Sequence, residues 1–140
     1  MTEGPFVNRL ERSDDVSGPV VAERTFEFEG RPDALQVRLR QPHRDSDTDN
    51  YWCTLELIGT PETTRFKLWG VDSLQALQLA MRAAGELLRE MGPAVTWHGE
   101  TDLGIPRTYP SFLSAAACSR IAEFIDREVA QEAQSKNGDV

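Results

Sequence analysis

The feature that most constrains this chain is a change of period near residue 70. From Val20 to Trp69 apolar side chains recur at every second position; from Gly70 to Met91 they recur at every third or fourth. Period two marks half-buried strands and period 3.6 marks an amphipathic helix. Phe26 and Phe28 alternate with Glu27 and Glu29 in Val20–Glu29, where Arg24 shares the phenylalanine parity and points to a bulge or strand end. Leu35, Val37 and Leu39 alternate with Gln36, Arg38 and Arg40. Tyr51, Cys53, Leu55 and Leu57 alternate with Trp52, Thr54, Glu56 and Ile58, and Phe66 and Leu68 with Arg65, Lys67 and Trp69.

The polar parity carries a second signal. Its charge changes sign from strand to strand: Glu23, Glu27 and Glu29, then Arg38 and Arg40, then Glu56, then Arg65 and Lys67. Opposite charges favour cross-strand pairing. The pattern predicts a four-stranded antiparallel meander over 20–69, in order 1-2-3-4, with one wet face. If Glu56 stands opposite Arg65, Trp52 falls opposite Trp69.

The helical segment starts at Asp72, a fitting N-cap, with Gln75 placed to complete a capping box. Leu74, Leu77, Met81, Ala84 and Leu88 form its expected buried stripe over 73–91, widened by Ala80, Leu87 and Met91, and Gly92-Pro93 ends it. Ala94–Trp97 reads as a short fifth strand, with Trp97 joining the core. A second helix is expected over 111–130, extending to about Gln134, with Ser111 as N-cap and Leu113, Ala117, Ile121, Phe124 and Ile125 on its apolar face. The predicted order is ββββαβα, an α+β fold. Residues 1–18, broken by Gly4, Pro5 and Gly18-Pro19, read as a flexible N-terminal tail; 19–131 reads as one α+β domain; 132–140 reads as a polar C-terminal tail.

The segments Tyr51-Trp52-Cys53, Gly70-Val71-Asp72-Ser73-Leu74-Gln75-Ala76-Leu77-Gln78-Leu79-Ala80, Trp97-His98-Gly99 and Leu103-Gly104-Ile105-Pro106 together resemble a family of small uncharacterised bacterial proteins, a domain of unknown function. The resemblance covers roughly residues 20 to 106. It implies a bacterial, cytosolic, stand-alone domain and transfers no catalytic residue.

Composition narrows the function classes. A net charge of −8, from 15 Lys+Arg against 23 Asp+Glu, opposes general nucleic-acid binding and adhesion to an anionic membrane. The two cysteines are too few for a disulfide scaffold or a thiolate zinc site, and Cys53 and Cys118 both sit at positions expected to be apolar. No nucleophile elbow, phosphate loop or dinucleotide fingerprint occurs.

Two acidic stretches resemble ion sites. Asp45-x-Asp47-x-Asp49-Asn50 followed by Glu56 has calcium-loop spacing, but Asn50 replaces the turn glycine and strands, not helices, flank it. His98, Glu100 and Asp102 alternate as a metal-ligand set would, yet Gly99 and Gly104 are expected to scatter them. Neither motif has its required context, so the expectation is no metal, no cofactor and no catalytic residue. Trp52 and Trp69, on the nominally wet parity of adjacent strands with Arg40 nearby, are either covered by the last helix or a second copy of the chain, or form a partner-binding patch rimmed by Asp45 and Asp47. The expected function is a non-catalytic acidic protein-interaction module, like an immunity protein or self-assembling. A small-ligand-binding α+β module and a metal-assisted hydrolase around His98 are the alternatives.

Overall fold

A computed structural model describes residues 10–31, 34–60, 62–106 and 113–138. The chain falls into two compact units, Met1–Arg107 and Thr108–Val140. The boundary lies inside the stretch 19–131 expected as one domain.

The fold is α+β, and its sheet is larger than the meander expected. Among the described residues the first unit runs β1 (Glu11–Arg12), β2 (Val20–Phe28), β3 (Leu35–Arg40), β4 (His43–Arg44), β5 (Tyr51–Thr60), β6 (Glu62–Gly70), α1 (Ser73–Glu90) and β7 (Val95–Thr96). The seven strands lie in the order β1-β6-β5-β3-β2-β7, with β4 also on β5. Every pairing is antiparallel. The four long strands neighbour one another in chain order, β7 is the expected fifth strand, and two short strands, β1 at the β6 edge and β4 on β5, bring the count from five to seven. The expected register holds: Glu56 faces Arg65 and Trp52 faces Trp69. The β2 irregularity lies between Val20 and Ala22, ahead of Arg24.

The core lies between one face of this sheet and α1. Phe26, Leu35, Val37, Leu39, Cys53, Leu55, Leu57 and Phe66 are buried, as their parity requires, and Leu68 is half-buried. Asp72 caps α1 by accepting the Gln75 N–H at 2.8 Å, while the Gln75 side chain accepts the Val71 N–H at 2.7 Å. The helix face keeps Ala80, Ala84, Leu87 and Leu88 of the expected stripe and departs from it elsewhere. Ala76, Ala80, Ala83, Ala84, Leu87 and Leu88 are buried, whereas Leu74 is 62% and Met81 40% exposed and Leu77 only half-buried. Small residues win because α1 starts close to the sheet: a Cβ on Gly70 would run into the backbone of Ala76. Leucines on that ridge would force helix and sheet apart.

The supposedly wet face is also covered, in the middle, by a segment read as tail. β1 pairs with the outer edge of β6, setting Glu11 against Lys67 and Arg12 against Phe66. The chain then crosses the sheet face opposite α1. Ser17 N–H donates to Thr54 Oγ1 at 2.9 Å and Thr54 N–H donates to Ser17 Oγ at 3.0 Å. Arg40 donates to the Gly18 carbonyl at 2.9 Å, and Gln41 N–H to the Pro19 carbonyl at 2.9 Å. Thr54 and Glu56 are therefore buried on the polar parity. Period-two alternation shows which side chains share a face, and says nothing of what covers it. Residues 1–9 of the expected tail lie outside the described residues.

Among the described residues the second unit holds one helix, α2 (Ala115–Gly138). Ser114 caps it, its hydroxyl accepting the Ala117 N–H at 3.1 Å. The expected cap, Ser111, lies outside the described residues. The helix continues past 130 through most of the expected C-terminal tail, and Ile121, Phe124, Ile125 and Val129 on it are exposed.

Candidate functional site

The β5–β6 ladder assembles an aromatic ridge on the face opposite α1. Trp52 and Trp69 are direct cross-strand partners. Lys67 lies two residues before Trp69 and so shares its face. Its Nζ lies 4.1 Å from the centre of the Trp52 ring and 4.8 Å from that of Trp69, so both indoles hold the ammonium by cation–π attraction. β4 sets His43 against Trp52, with their rings edge-on at 5.7 Å. Glu11 of β1 accepts the Trp69 indole N–H at 3.0 Å. Trp69 is 38% exposed and Trp52 is half-buried.

Beside the ridge, the same face turns inward at Glu56. Arg40 Nε donates to Glu56 Oε1 at 2.5 Å and Arg65 Nε to Glu56 Oε2 at 2.7 Å. Burial pushes the Glu56 carboxyl up, but the hydrogen bonds and charges of Arg40 and Arg65 outweigh it and hold the group below its ordinary range. Arg40, expected beside the tryptophans, is thus committed to Glu56 and Gly18.

Asp45 and Asp47 stand in the β4–β5 turn beyond His43 and Trp52. Asp45 accepts the Thr48 hydroxyl at 2.7 Å, Arg44 pairs with Asp49, and Asp47 is exposed. Glu56, the twelfth position of the calcium-like spacing, is held between its two arginines. At the other motif, His98 and Gly99 take φ of 52° and 78° in a tight turn closed by reciprocal hydrogen bonds between Trp97 and Glu100. The His98 ring rests 4.8 Å from that of Trp97, and Asp102 accepts the Gly104 N–H at 2.9 Å. Among the described residues, no group of three or more His, Cys, Asp or Glu is placed to hold a metal ion. Cys53 is buried, which pushes its thiol up to about 11 and leaves it protonated at neutral pH.

A cleft of about 320 Å³ opens on the α1 side of β2 and β3. Phe26, Val37, Leu39, Met81 and Ile105 line it. Arg24 also lines it and sets its guanidinium 3.8 Å over the ring of Trp97, which is half-buried against the core. Arg24 also donates to the carbonyls of Leu103 and Gly104. Gly104, at φ 67°, lies so near the Trp97 ring that a Cβ would reach within 2.5 Å of it.

Sequence reasoning found both ridge tryptophans and missed Lys67, His43 and Glu11. Lys67 was legible in principle, since two residues along a strand share a face. Glu11 carried no signal, because pairing of a two-residue strand leaves no periodicity.

Residues 22–107 match a family model described as a domain of unknown function (DUF6968), close to the stretch 20–106 that carried the resemblance. No curated protein and no solved structure matches the chain. No helix among the described residues is long and apolar enough to cross a membrane.

Proposed function

This chain belongs to the DUF6968 family, a domain of unknown function, and on that premise we propose that it is a non-catalytic interaction module that docks a partner protein on the Trp52–Trp69 ridge. The observation that carries this reading is the register pair itself: two indoles side by side, one of them 38% exposed, bracketing a lysine. Tryptophan is enriched among residues that dominate binding energy. Both belong to the family-matched segment. The net charge of −8 favours a basic partner and would speed encounter with it. A cytoplasmic role in a bacterial cell fits, with Cys53 and Cys118 as free thiols.

The test compares the native chain with a Trp52→Ala, Trp69→Ala double variant. A partner retained by the native chain and lost by a variant with unchanged circular dichroism is the expected result. Association that ignores both indoles sinks the reading, as does a catalytic activity lost on His98→Ala. The apolar cleft favours a second reading, a small-ligand module. Under it, Met81→Trp would block an apolar ligand and leave ridge association unchanged.

A further inference from the structure

Resting on that reading, we infer that the partner anchors on the ridge through a carboxylate, carried on a surface that is otherwise basic. Lys67 is the cation through which the ridge would take it. The neighbouring guanidinium groups are engaged: Arg40 and Arg65 by Glu56, and Arg44 by Asp49. The Trp69 indole N–H is taken by Glu11. Lys67 is held by two ring faces, and among the described residues it forms no ion pair with a carboxylate. A ring face attracts an ammonium without filling its hydrogen-bonding capacity, since Lys carries three donors.

This arrangement suits an incoming carboxylate. The two indoles have already restricted the lysine side chain, so binding immobilises less of it. They also offer apolar walls for the methylene stem of a glutamate. With the arginines and Asp49 paired among themselves, the charge left around Lys67 is acidic, with Glu11 on one side and Asp45 and Asp47 in the β4–β5 turn on the other. A polyphosphate backbone would meet that rim at every step. One carboxylate flanked by lysines or arginines matches both centre and rim.

The chain is titrated with a pentapeptide holding one glutamate between two pairs of lysines. A glutamine-centred peptide and oligothymidylate serve as comparisons. The Trp52 and Trp69 indole N–H resonances report binding. The glutamate peptide should bind at least about tenfold tighter than the glutamine peptide, the scale of one hydrogen bond to a charged group. Lys67→Met should abolish that preference and Lys67→Arg should retain part of it. Equal binding of the peptides, no binding of either, tighter binding of oligothymidylate, or a preference that survives Lys67→Met would each overturn the inference. If Lys67→Met still retains a partner that the double tryptophan variant loses, the ridge reading stands and the carboxylate anchor falls.

Discussion

Glu56 stands directly opposite Arg65 on the β5–β6 ladder and is joined to it by a 2.7 Å hydrogen bond, while Arg40 holds its other oxygen from β3. The carboxylate is 1% exposed, so both arginines act where water screens little. Removing one member of such a group leaves buried charge uncompensated. Glu56→Gln should therefore destabilise the fold by about 3 kcal/mol or more, measured by urea unfolding. A loss below about 1 kcal/mol would show that the arginines relax into solvent.

The same group sets an acid limit. Its folded-state carboxyl lies below its ordinary value of 4.5, so its stabilisation is complete above that value and disappears as pH falls through the lowered one. Stability should fall below about pH 4.5, and the Glu56→Gln chain should show a shallower fall. Parallel curves would assign the acid loss to other carboxylates.

Leu55→Ala should cost about 2–5 kcal/mol, because a fully buried leucine leaves a cavity. Leu88→Ala should fall in the same range, and Leu74→Ala, at an exposed position, should cost less than about 0.5 kcal/mol. Equal costs at 74 and 88 would contradict the alanine-faced packing of α1.

The two cysteines should separate in a thiol-labelling assay. Cys53 is buried with its thiol pushed up to about 11, and Cys118 is half-buried on α2. A native chain should react quickly at Cys118 alone, and Cys53 should react only on unfolding. Rapid native labelling of Cys53 would mean that β5 opens locally.

Millimolar calcium should leave the melting temperature unchanged. Asp45 and Asp49 are already bonded to Thr48 and Arg44, and Glu56 is held by arginines. A ligand of the native state at a hundredfold excess over its dissociation constant would add about 2.7 kcal/mol. Stabilisation abolished by Asp47→Ala would restore the acidic turn as an ion site.

What was legible in the sequence followed from short-range geometry. The Glu56–Arg65 and Trp52–Trp69 pairs follow from period two combined with alternating charge, and the α1 start follows from Asp72 and Gln75. Half of the alanine face of α1 was hidden: Ala80 and Ala84 lay on the expected stripe, but hydrophobicity favours Leu74 and Met81 where close helix–sheet contact selects Ala76 and Ala83. Burial of Glu56 was hidden because its cover, the segment through Ser17, lies far away in the chain and has no regular pattern. The lysine between the indoles joins strands in three dimensions, and hydropathy assigns it only to a wet face.

The N-terminal crossing has a consequence for synthesis. Glu11 meets Trp69 across 58 positions of sequence. A growing chain cannot seat this segment until β6 has left the ribosome, and closing so long a loop costs entropy before any contact repays it. Until then Thr54 and Glu56 remain hydrated, and the sheet has one finished side. The segment from Glu11 to Ser17 would be among the last to lock although it is made before the sheet, so a chain stalled before residue 69 would leave that segment unattached and open to proteases.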